Sequence, residues 1–519
     1  MSETSWKLSP SHWQGFFQSR LQRLQNSPIG YRLARGAFWS AAGSVISRAL
    51  GMASSIVVAR LLGKSIFGEL GVIQSTVGMF GTFAGFGMGL TAAKHVAEFR
   101  VGDPAKAGRV IGLSNLVAWV SSLIMATALL LLAPWLCKKI LAAPQLTDLL
   151  RIGSLMLLFS AVNGALTGTL SGFEAFSSIA RLNVISAILT ILGSILGALY
   201  FGLWGLVVGL AGVQGVTFVV TYYAVRRQAA IHKVPISLAS CLDELPIAWN
   251  FSVPALLSVI VHSPVSWACI AMLVNTPGGY GQMGIYSAAN KWRAILFFLP
   301  TVLMQAVLPI MSSARTADGD SADFQTTFRF TQSVMVIIGF PACTLVMVAA
   351  HWIMPIYGRG FSMGAEALVF AALTTLVQCI GAAAGPAIES KGKMWMACAI
   401  NSSYGCFLLV GALVLLPVAG AAGLLLASAL SYVAVTVWAF TYLREELPSG
   451  MYRRIIAAMC FALVLGALCT LIPQRLSLAL GAPLVALVAV VSFKYLTEIK
   501  TQRAILSFML GRPSENCAA

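Results

Sequence analysis

The chain has 519 residues, 58% of them hydrophobic and 10% charged, against roughly 25% charged in a soluble globular domain. Together with 47 glycines and a mean hydropathy of +0.85, this excludes a soluble enzyme and describes apolar helices in close contact across a membrane. A formal charge of +17, from 34 Lys and Arg against 17 Asp and Glu, would suit nucleic acid in a soluble protein, but here it follows from loop topology and no nucleic acid partner is expected.

Residues 1–36 form a cytoplasmic, amphipathic N-terminal segment. Within it Trp13, Phe16, Phe17, Leu21 and Leu24 recur at helical spacing, with Arg20 and Arg23 elsewhere on the wheel. That pattern predicts an interfacial helix on anionic lipid, in preference to a partner-binding helix. No cleaved secretory signal is expected ahead of the first span.

Apolar runs long enough for a hydrocarbon core of ~30 Å follow. Six lie at 37 to 59, 66 to 90, 111 to 134, 150 to 171, 179 to 201 and 203 to 225, within an N-lobe of 37–226. A cytoplasmic linker of 227–246 leads to a C-lobe of 247–443. Its runs lie at 247 to 274, 281 to 311, 330 to 355, 363 to 386, 394 to 416 and 419 to 442. Two more spans fill 444–496, and 497–519 is a cytoplasmic tail. The reading is an all-α polytopic membrane protein of about fourteen transmembrane helices, with two pseudo-repeated six-helix bundles and two helices beyond them.

An even count puts both termini on one side. Sorting Lys and Arg onto alternate sides gives 24 on the side of the termini and 7 on the other, so both termini are expected in the cytoplasm. The ten cysteines lie mostly inside apolar runs without C-x-x-C spacing, which favours small buried hydrophobes over a disulfide or zinc framework. No metal or cofactor is expected.

The halves repeat each other locally. Phe67-Gly68-Glu69-Leu70-Gly71-Val72 opens the second span, and Tyr280-Gly281-Gln282-Met283-Gly284-Ile285 opens the eighth. Both read aromatic, Gly, two residues, Gly, β-branched apolar, as parallel repeats in transporters do.

Three basic residues remain inside spans: Arg48, Lys291 and Arg293. A cation at a helix centre costs about 2.5 to 3.5 kcal/mol on insertion scales, so it normally faces a wet cavity or a partner. At the helical rise, Arg48 lies about 17 Å in from residue 37 and Lys291 about 15 Å in from residue 281. Ser40, Ser44, Arg48, Gly51 and Ser55 share a helix face, as do Gln74, Gly78, Thr82, Gly85 and Gly89, and as do Pro254, Ser258, His262 and Ser266. Small residues on such faces also pack helices, and it is the charge that turns these stripes toward a lumen. Lys291 and Arg293 stand about 200° apart on their helix, so only one can face a given lumen. A buried Arg can also clamp backbone carbonyls, the role that fits Arg293. His262 reads either as a hydrogen-bonded core histidine or as a ligand or proton carrier.

All six Asp fall in loops or at span ends, and Glu69 and Glu366 lie near outer ends. An organic-cation pump needs a buried carboxylate, whereas a cationic lumen suits phosphate or pyrophosphate. Gly63-Lys64-Ser65 imitates the end of a phosphate-binding loop, but Val58 stands where that loop requires Gly. No ATPase or other enzyme is expected.

Arg35-Gly36-Ala37-Phe38-Trp39-Ser40, Ser47-Arg48-Ala49-Leu50-Gly51, Ala59-Arg60-Leu61-Leu62-Gly63 and Tyr286-Ser287-Ala288-Ala289-Asn290-Lys291 resemble the polysaccharide transporter family, the Wzx-type oligosaccharide flippases of the multidrug/oligosaccharidyl-lipid/polysaccharide (MOP) exporter superfamily. The resemblance implies two six-helix bundles in a MATE-like V around a cationic cavity, working by alternating access. It implies a bacterial inner-membrane flippase for undecaprenyl-diphosphate-linked oligosaccharide in surface polysaccharide or exopolysaccharide export, with a polysaccharide polymerase, glycosyltransferases and membrane lipids as partners. Arg48 and Lys291 match lumenal positions of the family and would hold the pyrophosphate. Arg293, Ser44, Ser55, Gln74, Ser258 and His262 complete the candidate substrate site. Ser54-Ser55 stands where lipid II flippases of the superfamily tend to carry an Arg-Asp pair, which disfavours a peptidoglycan precursor. The alternatives are a MATE-like drug or cation antiporter and a nontransporting membrane partner of a polysaccharide synthase.

Overall fold

The structure is a computed structural model that describes residues 28–85, 87–238, 240–247, 261–298, 300–302, 304, 321–391, 393–447, 450–471 and 474–494. The interfacial segment expected at 12 to 24 and the candidate Ser258 lie outside these residues. The described residues are helical and contain no strand.

The N-lobe comprises α1 (Pro28–Ala84), α2 (Met88–Gly102), α3 (Pro104–Trp135), α4 (Thr147–Gly172) and α5 (Phe176–Ile231). The C-lobe comprises α6 (His262–Val274), α7 (Gly279–Leu296), α8 (Ser321–Ile353), α9 (Ala365–Gly381), α10 (Ala384–Glu389) and α11 (Met394–Tyr442), followed by α12 (Met451–Leu471) and α13 (Gln474–Lys494). Eight helices among the described residues are long and apolar enough to cross a membrane.

Three of them hold two spans each. Helix α1 breaks at Gly63 (φ 77°), α5 at Gly202 (φ 58°, ψ −136°) and α11 at Gly420 (φ 52°, ψ −125°). A side chain tolerates these backbone angles poorly, so a glycine marks each break, at or within two residues of the point where the sequence pattern separates two spans. The fourteen-span count rests on the sequence, because 248–260 and 305–320 lie outside the described residues.

Small residues set the packing. Gly193 and Gly197 in the first arm of α5 meet Gly209 and Gly205 in the second so closely that a Cβ on Gly197 would overlap the Gly205 carbonyl, as GxxxG-type helix contacts require. Within the N-lobe α1 packs on α5 and α3 on α4; within the C-lobe α9 packs on α8 and α11, and α12 and α13 flank α9 and α8. One apolar core runs through both lobes, and a second fills the end of the N-lobe between α2, α3 and α4.

Beyond α5 the chain folds back onto the N-lobe. The carbonyls of Pro235 and Ser237 lie where side chains on Gly108 and Gly112 of α3 would stand. Arg109 donates through Nε and Nη2 to Glu244 Oε1 at 3.1 and 2.9 Å. The connection between the lobes is thereby tied to α3. Nearby on α2, His95 lies 3.1 Å from Glu98 Oε2 and stacks on Phe99. Burial lowers its pKa below the usual histidine value, against the pull of Glu98.

Candidate functional site

The lobes close on each other at the end that carries the Gly63 break. The two matching six-residue segments make this contact. A Cβ on Gly68 would overlap the carbonyl oxygen of Tyr280, and one on Gly284 would overlap that of Lys64. Each repeat thus receives backbone of the other through its own glycines, as a pseudo-two-fold contact should. Around it Arg60 Nε donates to Ile356 O at 2.6 Å, Tyr280 Oη to Leu141 O at 2.7 Å and Asn275 Nδ2 to Ile140 O at 2.6 Å. Phe67 packs edge-on to Phe361 at 6.0 Å. The loop-like Gly63-Lys64-Ser65 is part of this seal, with Gly281 and Gly360 against the Lys64 stem.

Away from the seal, two seams join the lobes. Along one, Trp267 Nε1 donates to Thr76 Oγ1 at 2.9 Å and Thr82 Oγ1 to Ser263 Oγ at 2.9 Å. Along the other, Arg48 Nη1 donates to Ala294 O at 3.2 Å, with the guanidinium 4.5 Å above the Phe298 ring. The carbonyl contact that the sequence suggested for Arg293 is therefore made by Arg48. Arg48 is nonetheless exposed.

Lys291 stands on α7 one turn before Ala294, whose backbone carbonyl Arg48 reaches. The Lys291 side chain is exposed and borders a recess. The recess, about 80 Å³, is lined by Gly51, Ser54, Ser55, Gln74, Thr190 and Ser194 of the N-lobe together with Lys291. Ser54 and Ser194 share a 2.7 Å hydrogen bond. Behind it, Ser55 Oγ and Trp292 Nε1 are buried and approach the Tyr357 hydroxyl, which donates to Met52 Sδ at 3.3 Å. Ser55, Gln74 and Lys291 are thus brought together as the helix faces suggest. Ser44 is half-buried one turn before Arg48 and does not line this recess.

Arg293 points elsewhere, as the 200° separation requires. It is half-buried and within electrostatic reach of His262, Tyr286 and Tyr404. His262 stacks on Tyr404 with centroids 5.0 Å apart, and Tyr404 lies 4.3 Å from Tyr432. These rings, with Thr82, Ser263 and Asn401, line a recess of about 440 Å³. A further recess of about 310 Å³ shares Asn401, Tyr432 and Val435 with it and adds Gln378, Glu389 and Thr436.

Sequence reasoning missed Ser54, Thr190, Ser194, Asn401, Tyr404, Tyr432 and Glu389. The signal for some was present: Ser428, Tyr432 and Thr436 recur at steps of four, facing Asn401 and Tyr404 across the α11 hairpin. These residues are mostly uncharged, and a search keyed to buried charge passes over them. Glu69, which the sequence places near an outer end, sits at the sealed end beside Gln145 and away from the recesses. Among the described residues no group of His, Cys, Asp and Glu is arranged to hold a metal, and the nine described cysteines are free.

Residues 33–315 match the family described as "Polysaccharide biosynthesis protein". The chain is 24% identical over 390 residues to the EPS I polysaccharide export inner membrane protein EpsE of Ralstonia nicotianae, covering 72% of this chain and 85% of that protein. It is 22% identical over 290 residues to the lipid III flippase of Escherichia coli, covering 54% and 67%. Among solved structures, the lipid II flippase MurJ in an inward closed conformation superposes with a TM-score of 0.66 at 13% identity, over 91% of this chain and 99% of that one. An inward-facing multidrug resistance MATE family transporter of the MOP superfamily superposes at 0.63 and 16% identity, over 81% and 98%. At such identities these likenesses establish the fold.

Proposed function

Because the chain belongs to the polysaccharide biosynthesis protein family and has the fold of the MOP superfamily, we propose that it is a flippase for lipid-linked oligosaccharide in polysaccharide export. The observation that carries this reading is two exposed basic side chains on contacting helices, Lys291 in the recess on α7 and Arg48 on α1, whose guanidinium reaches the carbonyl of Ala294 one turn beyond Lys291. Charge-assisted hydrogen bonds to phosphate oxygens are the interactions that guanidinium and ammonium groups make best. The hydroxyls of Ser54, Ser55, Thr190 and Ser194 and the Gln74 amide supply neutral donors beside Lys291.

The cargo is an undecaprenyl-diphosphate-linked repeat unit, carried across the bacterial inner membrane with both termini of the chain in the cytoplasm. The sealed end then faces the periplasm and the described conformation is the inward-open one. Cargo enters from the cytoplasmic leaflet, its diphosphate is held by Arg48 and Lys291, and separation of the glycine contacts at Gly68 and Gly284 opens the other side. The relatives that export polysaccharide and flip lipid III support this reading, as does the fold.

A cation antiporter is favoured by one observation, the Glu389 carboxylate lining a C-lobe recess. Purified protein in proteoliposomes distinguishes the two. Flipping of a fluorescent undecaprenyl-diphosphate oligosaccharide by the protein alone is expected, without proton-driven uptake of a cationic dye. Dye transport without flipping would overturn the proposal. Absence of flipping until a polysaccharide synthase is added would make the chain that enzyme's partner.

A further inference from the structure

The gap between the lobes is chemically two-sided. On the side of α1 and α7 stand Arg48, Lys291 and the hydroxyl recess. On the side of α6, α10 and α11 stand two joined recesses of about 440 and 310 Å³ lined by aromatic rings and uncharged amides, with one carboxylate. Pockets of this size are large enough to enclose a small ligand.

The C-lobe wall is built from packed aromatic rings. Tyr404 is buried against two further rings, stacked on His262 and tilted by 40° against Tyr432, and its hydroxyl shares a 3.0 Å hydrogen bond with Ser428. The outer two rings, His262 and Tyr432, are half-buried and border the open space. A preformed aromatic surface binds at low entropic cost, and the negative face of its π-system attracts the slightly positive C–H face of a pyranose. Asn401, exposed in the wall of both recesses, and Gln378 each donate and accept hydrogen bonds, as sugar hydroxyls do. Thr82 and Ser263 add hydroxyls.

Charge fixes which part of the cargo goes where. A diphosphate is attracted to Arg48 and Lys291 and repelled by Glu389, whereas a carboxylate accepts hydrogen bonds from a neutral sugar. Arg293, between the two sides and near His262 and Tyr404, offers guanidinium donors to hydroxyls.

We propose that the chamber between α6, α10 and α11 is a saccharide subsite, in which His262 and Tyr432 form the stacking surface and Asn401 reads the sugar hydroxyls. This rests on the flippase reading and adds to it the location of the glycan.

The test uses the full chain in lipid nanodiscs, titrated with undecaprenyl diphosphate and with undecaprenyl diphosphate bearing N-acetylglucosamine. The wild type binds the sugar-bearing lipid more tightly. Tyr432→Ala and Asn401→Ala each weaken the sugar-bearing lipid by about five- to tenfold while the bare lipid stays within about twofold, which also shows that the variants are folded. Tyr432→Phe keeps the ring and stays within about twofold for both. Equal loss of both lipids, or no loss of either, overturns the subsite, as does a wild type without preference for the sugar. A wild type that binds neither lipid fails the flippase reading itself.

Discussion

The sealed end and the gap beyond it are built from the same helices with opposite materials. At the seal, α1 and α7 meet backbone to backbone, with glycines 68 and 284 under the carbonyls of Tyr280 and Lys64. In the arm of α1 before the Gly63 break, and further along α7, Arg48 and Lys291 are exposed side chains instead. Contacts made by glycine and carbonyl bring the helices close without burying a charge, so they can form and separate at little electrostatic cost. Side chains that stay solvated are left to meet an anion. One helix pair therefore combines a gate and a binding surface.

The largest effect is expected where that contrast is abolished. Gly68→Val should remove transport altogether, because its side chain needs the space that the Tyr280 backbone fills. Cysteines introduced as Lys64→Cys and Gly360→Cys, in a chain stripped of its own cysteines, should cross-link readily with Gly68 present and poorly once Gly68→Val is added. Efficient cross-linking in both would mean that the seal does not depend on close backbone approach.

Removing charge from the other region should spare the seal. Lys291→Ala and Arg48→Ala should each lower flipping by about tenfold or more, as expected for a lost charge-assisted hydrogen bond, with cross-linking at the sealed end unchanged. Lys291→Arg should retain most activity. If Arg48→Ala also loosened the seam, its bond to Ala294 would be the main role of this side chain, and Lys291 alone would carry the anion.

A smaller effect separates conformation from contact. Gly202 has open space where a Cβ would stand, and only its backbone angles exclude a side chain. Gly202→Ala should cost about 1 to 3 kcal/mol, read as a lowered Tm, while Gly212→Ala, also facing open space but in helical backbone, should not destabilise. Equal Tm values for the two would contradict the reading of Gly202 as an obligatory turn.

The smallest effect lies outside the membrane. The pKa of His95 is lowered by burial in the folded chain, so its neutral form is the one that folding favours. Its contribution is present above the unfolded value of about 6.5 and is lost as pH falls through and below it. His95→Gln should flatten the decline of Tm between neutral pH and pH 5, and an unaltered decline would assign that decline to other groups.

Much of the architecture was readable because in a membrane each feature leaves a separate mark. The Gly63 and Gly202 reversals fall between apolar runs, the matched hexapeptides mark equivalent helix starts, and Arg48 and Lys291 are conspicuous amid hydrocarbon. What remained hidden depends on packing. Asn401, Tyr404 and Tyr432 are ordinary residues for a transmembrane helix until the α11 hairpin folds and leaves space beside them. The return of 232–247 onto α3 was equally illegible, since Gly108 and Gly112 become informative only when the Pro235 and Ser237 carbonyls lie over them. Arg48 was recognised as unusual, but its partner was not, because a backbone carbonyl has no sequence signature.

The central claim is that cations set midway along the α1–α7 pair hold a diphosphate. Its most direct test is the affinity of the full chain in nanodiscs for undecaprenyl diphosphate, compared with a chain carrying both Arg48→Ala and Lys291→Ala. The account predicts tight, salt-sensitive binding that the double substitution weakens by about a hundredfold, one factor of ten for each lost charge-assisted hydrogen bond. Equal affinity in the two proteins would contradict it.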